Sequence, residues 1–117
     1  NKSSIFISII LRYESLETFK EMCQGFFDKL MQVYQNSRVF VITPIWCSSE
    51  NELKKAGYLY EIRREIERIA GAFEQISIIN GLEVVPNMEE YFVDGVHPND
   101  EGFAHYSIHL LAQMLSE

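Results

Sequence analysis

Asp94 stands three residues before His97 in the stretch Val93-Asp94-Gly95-Val96-His97-Pro98-Asn99-Asp100-Glu101-Gly102, the part of the sequence best suited to chemistry. A carboxylate that accepts the proton of one imidazole nitrogen fixes the tautomer and turns the other nitrogen outward as a base. A base of that kind is matched to neutral pH and takes the proton of a hydroxyl nucleophile. Pro98 pushes His97 out of the helical region and narrows its backbone choices. Pro98 and Asn99 then form a helix entry, with Asn as the N-cap. The expectation is a short, stiff loop holding an Asp–His pair at the lip of a helix. The plainer alternative is a turn at Asp94-Gly95 with a surface histidine beside it.

Other reactive side chains are less well supported. Cys47, Ser48 and Ser49 share one loop, but nothing local activates them as a neighbouring base or strained turn activates a nucleophile. They read as loop and capping residues. His105 and His109 stand four apart on a helical stretch, a metal-binding spacing, but without the glutamate of a zinc-protease helix they read as ordinary helix histidines. No metal or cofactor is expected. A net charge of −7 leaves no basic surplus to neutralise phosphates, which argues against nucleic acid and anionic membranes as partners. No stretch is apolar enough to span a bilayer: the run Ile5 to Leu11 is interrupted by Ser8 and stops at Arg12. It also lacks the basic flank and cleavage site of a signal peptide. Cys23 and Cys47 form no disulfide framework and fit a reducing, cytoplasmic compartment.

The elements that must position the pair follow from periodicity. Asn1 to Leu11 is polar and then densely apolar, and is expected to be irregular or strand-like. Ser15 to Tyr34 is expected to be a helix capped by Ser15, with Leu16, Phe19, Cys23, Phe26, Phe27, Leu30 and Val33 as its apolar stripe. Cys23 reads as a small buried apolar residue there. Arg38 to Thr43 is a continuous apolar run of the kind found in parallel strands covered on both faces, and Pro44 closes it. The loop after it, Ile45 to Asn51, leaves the C-terminal end of that strand, where ligands bind in open α/β sheets. Trp46 lies there, as binding-site wall or as plain packing.

A second helix is expected over Asn51 to about Phe73, with Leu59, Ile62, Ile66, Ile69 and Phe73 inward and Lys54, Lys55, Arg63, Arg64, Glu65 and Arg68 on a solvated face. Gln75 to Asn80 reads as a strand ended by the Asn80-Gly81 turn, and Leu82 to Tyr91 as a loop. Asn99 to Leu115 reads as the last helix, with Phe103, Tyr106, Leu110, Leu111 and Met114 inward. Alternating helices and strands predict an α/β fold with a parallel, doubly wound sheet. Two clear strands are fewer than the roughly four to six usual for such sheets. With Asn1 rather than Met at the start, residues 1–117 are expected to be a single, partial domain whose earlier part precedes them.

Asp94-Gly95-Val96-His97-Pro98-Asn99, followed by Gly102-Phe103, resembles the last block of the SGNH (GDSL-type) serine hydrolases. The wording around Thr43-Pro44-Ile45 is similar to the GDSL-like branch of the third type. The resemblance covers roughly Ser15 to Glu117 and implies the C-terminal half of a three-layer α/β/α flavodoxin-like sandwich. It implies hydrolysis of an acyl or acetyl ester of a sugar or other small alcohol, with His97 as general base and Asp94 as its orienting partner. It also implies a Ser in a Gly-Asp-Ser block and oxyanion-hole Gly and Asn residues, none of which can be matched in these 117 residues.

Two other readings compete. One is a non-catalytic α/β module that binds a ligand or associates with itself through an uncovered sheet edge or apolar face. The other is a metal-dependent hydrolase using His97, His105 and His109.

Overall fold

In a computed structural model, residues 4–8, 15–54 and 57–116 are described, residues 4–8 by their backbone and Met114 without its side chain. Three parallel strands form the sheet in the order β1 (Ser4–Ser8), β2 (Arg38–Ile42), β3 (Ile76–Ile79). Ser4 stands opposite Arg38 and Val39 opposite Ile76, so β2 is central. The strand-like expectation for the N-terminal run therefore holds over Ser4–Ser8, and the sheet has one strand more than the two clear apolar runs. The rest of that run lies outside the described residues.

Strand β2 is buried on both faces because its side chains alternate between two cores. Val39 and Val41 join Phe19, Cys23, Phe27 and Met31 of helix α1 (Leu16–Val33) and Ile62, Ile66, Ile69 and Ala70 of helix α2 (Leu59–Ala70). Phe40 and Ile42 join Ile79, Val84, Val85 and Phe92, with Tyr106 and Leu110 of helix α3 (Asp100–Ser116) packed alongside. The described fold is thus mixed α/β, a small parallel sheet with three helices.

Helix α1 starts as expected, with Ser15 Oγ accepting the Thr18 N–H at 3.1 Å. Its stripe needs correction. The buried positions are Phe19, Cys23, Phe27 and Met31, each four residues from the next, whereas Phe26 is 47% exposed and Val33 62% exposed. Phe26 lies one position off that line and meets Phe27 edge-on, with ring centroids 5.2 Å apart.

Helix α2 begins at Leu59, eight residues after the expected Asn51. Gly57 adopts φ +109°, which is left-handed backbone that glycine tolerates and a helix does not continue through. Tyr58 is extended, and its N–H donates to the Glu61 carboxylate at 2.9 Å, which satisfies one open helix-start donor. The solvated face also needs correction. Arg64 and Arg68 are exposed, Lys55 lies outside the described residues, and Arg63 is buried.

Helix α3 presents Gly102, Tyr106 and Leu110 to the fold, again at steps of four, so Phe103 and Leu111 stand on its exposed flank and not inward as expected. The Met114 side chain is not described. No helix among the described residues is long and apolar enough to cross a membrane.

Candidate active site

Two loops meet at the C-terminal ends of β2 and β3. The first runs from Thr43 to Glu50, the second from Tyr91 to Asn99. Their base is fixed by Thr43 and Gly81: Thr43 Oγ1 accepts the Gly81 N–H at 2.8 Å, and Thr43 N–H donates to Ile79 O at 3.0 Å. A Cβ at Gly81 would lie 2.0 Å from Thr43 O, so only glycine lets the two strand ends approach this closely.

The second loop is a small hairpin. Phe92 and Pro98 form an isolated antiparallel bridge at its neck. The Val93 N–H donates to His97 O at 2.7 Å, and Gly95 turns at the tip with φ +82°. Below the neck, Asn99 ties hairpin to helix. Its N–H donates to Tyr91 O at 2.9 Å, its amide nitrogen to Glu90 O at 2.8 Å, and its amide oxygen accepts the Gly102 N–H at 2.9 Å. The Asn99 N-cap read from the sequence is therefore present.

Within this hairpin Asp94 and His97 pair as expected. Asp94 Oδ1 accepts the N–H groups of Val96 at 3.0 Å and His97 at 2.8 Å, while Oδ2 lies 2.8 Å from His97 Nδ1. The His97 N–H bond, the ring bond and the Val96 N–H together hold the Asp94 carboxyl down at about 2, against an ordinary 3.8. At neutral pH Asp94 is therefore a carboxylate that only accepts hydrogen bonds. Nδ1 therefore carries a proton, and in the neutral imidazole Nε2 keeps its lone pair. The His97 side chain is 74% exposed, so that nitrogen is open to an incoming group.

Trp46 sits at the root of the hairpin. Its ring is half-buried, 5.3 Å centroid to centroid from Phe92, and packs against the second core. Packing is thus shown for Trp46 at a position that also borders the Asp–His loop.

The other candidates are placed less productively. Cys47 Sγ lies 3.4 Å from Ser49 Oγ, and Lys54 Nζ donates to the same hydroxyl at 2.8 Å. Since α2 starts at Leu59, Ser48 and Ser49 do not cap it. On α3, His109 Nδ1 donates to His105 O at 2.8 Å, and the His105 ring stands edge-on to Tyr91 at 5.2 Å. No cluster of three metal-ligating side chains occurs among the described residues.

Residues that periodicity did not single out complete the arrangement. Arg63 reaches from α2 into the first loop. Its Nε donates to Pro44 O at 2.8 Å, its Nη2 to Ile45 O at 3.3 Å, and its two Nη groups to the Glu50 carboxylate at 2.5 and 2.8 Å. Ser48 N–H then donates to Gly95 O at 2.7 Å, joining the first loop to the hairpin tip. A signal for Arg63 existed: it lies four residues after Leu59 and three before Ile66, within the apolar stripe and not opposite it.

No protein-family model matches the chain, and none of the curated proteins matches it significantly. The likeness to the SGNH hydrolases rests on the quoted residues alone.

Proposed function

We propose that this chain carries the acid–base half of a serine hydrolase of the SGNH type, acting on an acyl or acetyl ester of a sugar or other small alcohol. The observation that carries the reading is the geometry of one carboxylate: Asp94 grips both the backbone N–H and Nδ1 of His97 while the imidazole side chain stays largely exposed. In this reading the α/β elements belong to a flavodoxin-like three-layer sandwich, and the hairpin stands at the strand ends where such folds bind ligands.

The chemistry follows the residues. His97 Nε2 takes the proton of a serine hydroxyl as its oxygen attacks the ester carbonyl, and then returns that proton to the departing alcohol oxygen. A water deprotonated by the same nitrogen resolves the acyl-enzyme, releasing the acid and regenerating the serine. Asp94 stays ionised and holds the imidazolium that forms in each step. No Gly-Asp-Ser occurs in the 117 residues, so in this reading the serine hydroxyl comes from outside them. The test is ester hydrolysis by the polypeptide read from the complete gene, with and without His97→Ala. Activity that survives the substitution removes His97 from the reaction.

A second reading is favoured by one observation: Phe103, Ile108, Leu111 and Leu115 are all exposed on α3. Exposed apolar side chains grouped on one helix mark association surfaces, which fits a module that pairs with itself. Light scattering across a range of concentrations tests it; a monomer throughout removes it.

A further inference from the structure

We infer that Arg63 is a positioning residue for the Asp94–His97 pair, acting through Glu50 and the Thr43–Glu50 loop without touching the reacting atoms. The inference rests on the hydrolase reading for its purpose, although its geometry does not.

Arg63 is the unusual residue of α2. Its side chain is only 7% exposed and that of Glu50 16%. A buried ion pair is poor evidence of stability by itself, because apolar side chains of similar volume commonly serve as well or better. What the guanidinium adds is direction. Its planar fork engages a carboxylate with two parallel bonds and leaves Nε for a third partner in the same plane. Here the fork faces Glu50, and the remaining bonds go to the carbonyls of Pro44 and Ile45, the second and third residues beyond β2. Both ends of the segment Pro44 to Glu50 are therefore tied to one point on α2.

The middle of that segment carries Ser48, whose N–H donates to Gly95 O at 2.7 Å. Contact there is tight on the side-chain side as well, since a Cβ on Gly95 would lie 2.3 Å from Ser48 Oγ. The bonds between Asp94 and His97 are internal to the hairpin and survive wherever the hairpin points. Its orientation over the strand ends needs outside support. Asn99 gives that support from below, and Ser48 gives it from the side. Through Ser48, Arg63 sets where His97 stands without altering what His97 is bonded to.

The experiment is nitrogen-15 NMR on the polypeptide of the complete gene, comparing the parent with Arg63→Met, Glu50→Gln and the control Ile66→Val, which trims the buried core face of the same helix. The expected result has three parts. Ser48 amide exchange rises roughly tenfold or more in both clamp variants. The Gly95, Val96 and His97 signals move in a common direction, while the Asp94 carboxyl still titrates at about 2. Ile66→Val moves none of these. Glu50→Gln keeps the side-chain shape and decides the matter if Arg63→Met does not fold. An unchanged Ser48 amide in Glu50→Gln, or an equal response in Ile66→Val, overturns the inference and leaves Arg63 a stability element. No substrate enters these measurements, so a failure of the hydrolase reading in the activity assay is separately visible.

Discussion

Asp94 holds His97 twice, by the backbone N–H at 2.8 Å and by the ring Nδ1 at 2.8 Å, using a different carboxylate oxygen for each. This double grip makes a titration prediction. The folded carboxyl sits at about 2, below the ordinary 3.8, so its contribution to stability is complete above about pH 4 and is lost as pH falls towards 2. Carbon-13 NMR of the Asp94 carboxyl should report a midpoint near 2. Asp94→Asn should remove that part of the acid dependence of unfolding. A midpoint near 4 would show that the grip is absent in solution.

Two glycines should respond to alanine with opposite signs. Gly25 lies in the middle of α1 with open space where a Cβ would go, so Gly25→Ala should stabilise by about 0.5–1 kcal/mol through helix propensity. Gly81→Ala would place a Cβ 2.0 Å from Thr43 O and 2.6 Å from Pro44 O, backbone atoms that cannot step aside. A loss of about 2 kcal/mol or more is expected there, in the range for strain at a constrained site. Urea unfolding of both variants checks the pair.

The corrected face of α1 is open to the same measurement. Phe27→Ala should cost about 3–5 kcal/mol, as for a fully buried aromatic. Phe26→Ala should cost much less, about 1 kcal/mol, because half of that ring already faces water and it chiefly loses its edge contact with Phe27. Equal losses would mean that Phe26 also faces the core.

The two thiols should separate by reactivity. Cys23 is buried between α1 and the sheet, and that burial, against a smaller opposing pull from Arg68, pushes its thiol up to about 11. A raised folded value means that stability is complete below about pH 9 and falls as pH rises from there towards 11. Cys47 is half-buried in the loop after β2. Alkylation at pH 8 should therefore modify Cys47 first and reach Cys23 only as the chain unfolds, read as one and then two adducts by mass spectrometry.

The parts of this fold legible in the sequence are those set by neighbours in the chain. The Asp94–His97 bond, the Asn99 and Ser15 caps and the apolar run of β2 depend on spacing of a few residues, and each stands where the sequence predicts. What failed depends on long-range contacts. Arg63 lies in phase with the apolar stripe of α2, but an arginine reads as solvated, and the Glu50 carboxylate and two carbonyls that hold it buried come from elsewhere in the chain. The late start of α2 turns on the conformation of one glycine, Gly57, which no periodicity records. Phe26, Val33, Phe103 and Leu111 are apolar and close to helical phase, but the width of the buried stripe is set by what packs against it.

The most direct test of the central claim is the rate of ester hydrolysis by the polypeptide from the complete gene after His97→Ala. Loss of the acid–base group should lower kcat by about 10²–10⁴-fold while the fold and its melting transition are retained. A variant that hydrolyses the ester at the parent rate would contradict the assignment of Asp94 and His97 to catalysis.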